Sequence, residues 1–191
     1  MSRIIIRKDN LYGVMNELGE IVIEPSYDQI REHSNGYAAV CKDNKWGYID
    51  QKGNQVIDLL YDEVKDFTKC RVAAIKRNKS LNSWALIKDN GQIIEPQNGD
   101  KYYHISDFNA YGYAIVRRHL DYRIIDVNGN YANDDSYSSL RYIEDQEKFI
   151  GDKMGNLCLI NIEGEVVVDP DDDYDMIYYP TNGLCLVKKD G

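Results

Sequence analysis

One short pattern recurs five times in 191 residues, and it decides what such a chain can fold into. In Trp46-Gly47-Tyr48-Ile49-Asp50-Gln51-Lys52-Gly53 a bulky residue stands seven positions before a glycine. The same offset joins Tyr12 to Gly19, Trp84 to Gly91, Tyr122 to Gly129 and Leu157 to Gly164. Successive starts lie 34, 38, 38 and 35 residues apart. Self-similarity at such a period marks a repeat architecture, in which each unit buries its apolar face on its neighbours.

Each copy follows one grammar. Positions one and three are large and apolar (Tyr12/Val14, Trp46/Tyr48, Trp84/Leu86, Tyr122/Ile124, Leu157/Leu159). Position two is small in four copies (Gly13, Gly47, Ala85, Cys158), which lets a neighbouring backbone come close. Arg123 takes that place in the fourth copy and suggests an open face there. Position four is Met15, Ile49, Ile87, Ile125 or Ile160, so both faces of this strand are covered.

A turn follows, with Asp or Asn first and Gly fourth in Asn16–Gly19, Asp50–Gly53, Asp126–Gly129 and Asn161–Gly164. A side-chain acceptor at the first position and a left-handed Gly at the fourth are the chemistry of a hairpin turn. Lys88-Asp89-Asn90-Gly91 keeps the Gly and moves the polar turn-former inward. The returning strand is Ile21–Ile23, Val56-Ile57, Ile93-Ile94 or Val166–Val168. Three copies end it with an acid and proline, which stops a ladder. An aromatic–acid pair then recurs, Tyr27-Asp28, Tyr61-Asp62 and, shifted, Tyr174-Asp175. A third strand closes the unit (Tyr37–Val40, Val72–Ile75, Tyr113–Val116, Leu184–Val187), with Lys148–Ile150 a degenerate version. Ile4-Ile5-Ile6 looks like such a strand ahead of the first copy.

Lys45-Trp46-Gly47-Tyr48-Ile49-Asp50-Gln51-Lys52-Gly53 resembles the WG-containing, or KWG, repeat family of bacterial proteins. Tyr12-Gly13 and Trp84-Ala85 are near matches, and Tyr122-Arg123 and Leu157-Cys158 are divergent. The resemblance implies a tandem β-repeat used as a non-catalytic interaction module, with no catalytic residues to carry over.

The expectation is therefore an all-β chain forming a single domain over residues 1–191. It consists of about five three-stranded β-meander units of 34–38 residues, with hairpins starting near 12, 46, 84, 122 and 157. An open twisted stack is favoured over a closed propeller-like ring, because the copies decay towards the C-terminus. Tyr12, Trp46, Trp84, Tyr122 and Leu157, with Gly19, Gly53, Gly91, Gly129 and Gly164, are the structural positions of the repeat. A stacking ladder for ligands is the alternative use of the aromatic starts, outweighed by inter-repeat packing.

Composition narrows the function. With 23 basic and 32 acidic residues the formal charge is −9, and nucleic acid, which needs clustered Lys and Arg, is not an expected partner. No apolar run approaches ~18 residues, so no membrane span is expected. Met1–Lys8 has an apolar run of three residues where a secretory signal needs about seven or more, and the four cysteines are scattered singly. Cytoplasm is the expected compartment. Neither the cysteines nor His33, His104 and His119 stand at metal-ligand spacing, so neither a metal nor a cofactor is expected. Cys70 lies between Lys69 and Arg71, but no base is paired with it. Asp171, Asp172 and Asp173 lack the spacing of a calcium loop and read as a solvated run, as do Asp134 and Asp135.

Sixteen tyrosines in the chain suit recognition of another protein. The leading expectation is a non-catalytic protein-binding module facing a basic surface, in its specific form an inhibitor or immunity partner of a bacterial toxin or effector. A carbohydrate or cell-envelope binding module is the first alternative, and an enzyme with a loop-built site the second. The candidate contact residues are Asp171, Asp172, Asp173, Tyr178 and Tyr179, with Tyr102 and Tyr103 as a competing loop. Tyr111, Tyr131 and Tyr142 are further tyrosines off the repeat register.

Overall fold

The structure, a computed structural model, describes residues 3–78, 82–144, 147–168, 176–177 and 187–188. Among the described residues the chain is all-β, and none of the small antiparallel sheets closes into a barrel. It falls into two compact units, Met1–Pro96 and Gln97–Gly191.

The first unit holds three sheets, each a meander in chain order. Strands β1 (Arg3–Lys8), β2 (Leu11–Asn16) and β3 (Ile21–Tyr27) form the first. The second comprises β4 (Gln29–Ile30), β5 (Tyr37–Lys42), β6 (Lys45–Asp50) and β7 (Gln55–Tyr61). The third comprises β8 (Glu63–Val64), β9 (Val72–Lys76), β10 (Ala85–Lys88) and β11 (Ile93–Ile94). In the second unit the fourth sheet is β12 (His104–Ile105), β13 (Tyr113–Arg117) and β14 (Tyr122–Asp126), extended by bridges from Tyr131 and Tyr137. The fifth is β15 (Ser139–Ile143), β16 (Lys148–Lys153), β17 (Asn156–Ile160) and β18 (Val166–Val168). The pair β19 (Met176–Ile177) and β20 (Val187–Lys188) forms the sixth.

Four of the repeat starts lie on corresponding strands, β2, β6, β14 and β17, and the fifth, Trp84, immediately precedes β10. The sheets, however, run half a repeat out of phase with the sequence. The strand that closes each sequence repeat is the first long strand of the next sheet: β5 pairs with β6, and β9 with β10. Ahead of it runs a short strand that the sequence pattern does not show, made by the segment after the aromatic residue. Its amides donate at every third residue. Asp28, Arg31 and Ser34 reach the carbonyls of Cys41, Ala39 and Tyr37, and Asp62, Lys65 and Thr68 reach those of Lys76, Ala74 and Val72. Tyr103, Ser106 and Asn109 repeat the ladder on Arg117, Ile115 and Tyr113.

Sheets within each unit pack face to face. Val14 and Ile23 of the first sheet meet Ile30, Ala38, Val40 and Ile49 of the second. Tyr48, Ile57 and Tyr61 of the second meet Val64, Phe67, Ala73, Ile75 and Ile87 of the third. In the second unit Ile124 packs with Tyr137, Phe149, Cys158 and Ile160. Small residues on both faces of β5 (Ala38 and Ala39) and of β9 (Ala73 and Ala74) let the sheets approach, and bulky ones opposite fill the gap.

Gly13 and Gly47 have a specific reason to be small. Opposite each, the returning strand bulges: Tyr12 pairs with Tyr27 but Val14 with Ile23, and Trp46 with Tyr61 but Tyr48 with Ile57. The bulge presses on the glycine, so a Cβ on Gly47 would land on the Ile57 carbonyl oxygen and 2.7 Å from that of Asp58.

Candidate functional site

The hairpin ends are the exposed parts of this scaffold, and their turns are tightly held. The five turn glycines have φ of 83, 87, 84, 77 and 92°, the left-handed region where a side chain is strained. In four turns the first residue's carboxylate or amide oxygen accepts backbone amides. Asp50 Oδ1 takes Lys52 and Asn54 at 2.7 and 2.9 Å, and Asp126 Oδ1 takes Asn128 and Asn130 at 2.8 Å. The fifth position completes the lock with the complementary group. Asn16 donates to Glu20 at 2.8 Å and Asn161 to Glu165 at 2.9 Å, while Asp50 and Asp126 accept from Asn54 and Asn130. Burial pushes the Asp50 carboxyl up slightly, but the bonds from Asn54 and Lys52 outweigh this and hold its pKa below the usual range.

The aromatic starts are half-buried edges of the core rather than open platforms. Tyr12 and Trp46 pack on the inter-sheet clusters, and a cation covers a face of each ring. Arg7 lies 5.5 Å over Tyr12, Arg31 4.5 Å over Trp46 and Lys76 4.6 Å over Trp84. Tyr122 packs on the core of the second unit, and Leu157 is half-buried. Ring faces already held by cations are poorly placed to stack on sugars.

Of the candidate contact residues, Asp171, Asp172, Asp173, Tyr178 and Tyr179 lie outside the described residues. Tyr102 is not a surface residue: it is 1% exposed. It stands where Tyr27 and Tyr61 stand, as the aromatic that precedes the short outer strand, and the longer third repeat hides that register. Tyr103 is half-buried beside His119, with ring centroids 6.0 Å apart. It lines an open groove of about 440 Å³ with Asp100, Lys101, Arg118, His119 and Asp121.

The charged wall of this groove belongs to a cluster that the sequence pattern does not single out. Arg118 pairs with Asp121 and, at 2.9 Å, with Asp100, which also accepts from the Tyr131 hydroxyl. Arg123, expected to mark an open face, instead lies 4.6 Å over the Tyr131 ring, with its Nε buried. Burial pushes the Tyr131 phenol up, and Asp100 adds to this. For Asp100 itself burial acts upward, but Tyr131 and Arg118 outweigh it and keep the carboxylate ionised. A phenol held protonated against an ionised acid is a structural donor, not a poised base. The cluster fixes the loop.

Cys41 and Cys158 are buried free thiols and Cys70 is half-buried. Burial, with Asp28 nearby, raises the Cys41 pKa, the opposite of activation. Among the described residues no group of His, Cys, Asp and Glu could hold a metal ion, and no helix is long and apolar enough to cross a membrane.

Known structures share this fold at very low identity. Hsv2 of Kluyveromyces lactis superposes with a TM-score of 0.50 at 7% identity, over 80% of this chain and 55% of that one. A second structure of the same protein gives 0.50 at 9%, over 84% and 58%. The chain thus spans little more than half the length of the Hsv2 chains it matches. A protein of unknown function from Bacteroides caccae aligns at 13% identity over 97% of this chain and 81% of its own, with a TM-score of 0.35. No curated protein matches in sequence. The sequence profile of the WG containing repeat matches residues 12–46, 46–79 and 159–191, more than half of the chain. The copies starting at 84 and 122, which the profile passes over, keep the same strand, turn and left-handed glycine. This chain belongs to the WG containing repeat family.

Proposed function

We propose that this WG repeat chain is a non-catalytic protein-binding module whose partner presents a basic surface. One observation carries the reading: on a chain of formal charge −9, at least seven of the 23 basic side chains are already paired with the chain's own acids. Arg31, Lys45, Arg71, Lys76, Arg77, Arg118 and Lys153 all pair with acids of the chain, and several also cap aromatic rings. Local pairing leaves the surplus of nine negative charges to act at the surface, where it steers a basic partner. Rigid turns present that surface with little ordering cost on binding. Asp171, Asp172, Asp173, Tyr178 and Tyr179, with Tyr103, are the contact residues we assign to it. In the specific form of this reading the partner is a toxin or effector that the chain neutralises in the cytoplasm.

The test is retention of proteins from a host extract on the immobilised full chain, eluted by a salt gradient. The expected result is saturable capture of one basic protein, weakened as screening shortens below ~8 Å and by Tyr178→Ala/Tyr179→Ala. Salt-independent capture, or capture unchanged by those substitutions and by neutralising Asp171, Asp172 and Asp173, would overturn it.

A further inference from the structure

The interface between the first and second sheets differs from its neighbour in one respect. Between the second and third sheets three aromatic rings fill the space: Phe67 packs 4.7 Å from Tyr37 and 4.6 Å from Tyr48. Pairing in the two sheets fixes the equivalent positions one interface earlier. Tyr37 faces Asp50 and Arg3 faces Asn16; Tyr48 faces Ala39 and Val14 faces Ile5. Phe67 and His33 each follow the buried aliphatic of the short outer strand, Val64 or Ile30, by three residues. Arg3, Val14 and His33 therefore stand where the next interface has Tyr37, Tyr48 and Phe67.

These replacements leave a cavity. It measures about 800 Å³, opens to solvent, and is lined by Arg3, Ile4, Ile5, Val14, His33 and Gln51, with the exposed Glu32 among its walls. That size lies within the usual range of small-ligand sites, ~300–1,000 Å³. The polar groups are also mismatched in one sense. In the neighbouring interface the Tyr37 hydroxyl is held by Arg71 and by Asp89 at 2.8 Å. Here a guanidinium replaces the phenol, and neutral Gln51 stands in the position of Asp89. Among the described residues the Nη1 of Arg3 is buried with no hydrogen-bond partner. A buried, unpaired guanidinium nitrogen is costly, and an anion is its natural complement.

We propose that this cavity binds an aromatic ring bearing a carboxylate, the ring filling the volume left by the missing aromatics and the carboxylate pairing with Arg3. Ile5 and Val14 supply the apolar walls, and the His33 imidazole a flat surface for the ring. Two sources share this chemistry, a free aromatic acid and the C-terminal Phe or Tyr of a protein. The inference goes beyond the acidic-surface reading, since it needs neither a basic partner nor the Asp171 run.

Calorimetric titration of the full chain with N-acetylphenylalanine tests it, alongside the corresponding amide, acetate, and a peptide ending in Phe. The expected result is saturable binding of the acid, with about tenfold or greater loss for the amide and for Arg3→Gln. Val14→Tyr with His33→Phe restores the neighbouring interface's aromatics; it should raise the melting temperature and abolish binding. A peptide bound much more tightly than the free acid identifies a protein terminus as the source, and equal affinity a free acid. Equal binding of acid and amide, acetate matching the aromatic acid, or binding that survives the filled cavity would overturn the proposal. A failure here leaves salt-dependent capture of a basic protein unaffected, so the two readings fail separately.

Discussion

Gly47 and Gly53, six residues apart, are required for different reasons, and substitution separates them. At Gly47 the obstacle is space, since backbone oxygens of the bulged strand cannot move aside. Gly47→Ala should cost on the order of 1–3 kcal/mol of unfolding free energy. At Gly53 the φ of 87° is itself the obstacle, and an added Cβ also meets Ile23 at 2.7 Å. Gly53→Val should lower the melting temperature clearly and Lys52→Ala should not; two equally silent changes would remove the turn assignment. His33 gives a pH signature. Burial lowers its pKa and Arg3 adds to this, while the Asp50 carbonyl, 3.3 Å away, opposes both. The unfolded chain, with an imidazole near ~6.5, then takes up protons that the folded chain resists. His33 costs the fold nothing above that pH, and stability is lost as pH falls below it. The drop in melting temperature from pH 7.5 to 5 should therefore be smaller in His33→Gln than in the parent chain.

At the level of the element, the hairpin is held by a matched pair at its first and fifth turn positions. Asn16 faces Glu20, whereas Asp50 faces Asn54. Asn16→Asp alone sets two carboxylates against each other; adding Glu20→Asn rebuilds the pairing seen at Asp50. A double-mutant cycle read by denaturant unfolding should show the second change recovering at least ~0.5 kcal/mol, and strict additivity would contradict the lock. Most of this element was legible in the sequence, because a turn is local chemistry: Asx first, Gly fourth and apolar alternation on both sides. The short outer strands were not, because two-residue strands with a single buried side chain make no period and their three-rung ladders depend on a distant partner. Tyr102 shows the same limit. Aligned on Tyr61-Asp62-Glu63-Val64, Tyr102-Tyr103-His104-Ile105 reads as a buried aromatic ahead of a short strand, but the lengthened third repeat breaks the spacing that would have revealed it. The cavity beside His33 was equally hidden, since it appears only when residues of two sheets are compared interface by interface.

For the whole molecule, the boundary at Pro96 makes a prediction. The first unit contains two complete inter-sheet clusters of its own. Residues 1–96 expressed alone should therefore melt cooperatively with a β-type circular dichroism spectrum, and a featureless melt would show that the unit needs residues 97–191 in order to fold. Circular dichroism and a thermal scan are enough to decide. The sequence repeat is continuous across this boundary, because periodicity records how strands succeed one another and not where contacts thin out.

The half-repeat offset between sequence and sheet bears on how such a gene can change length. Because β5 is encoded with the copy before β6 yet pairs with it, and β9, β13 and β16 do the same, the second to fifth sheets are each a hybrid of two consecutive copies. Unequal crossing-over between misaligned copies removes or adds one period wherever the break falls. The join then unites an outer half from one copy with an inner half from another, which is how these sheets are already composed. Recombination breakpoints can therefore be scattered through the repeat without leaving a sheet half built, and the array can gain or lose units in whole steps.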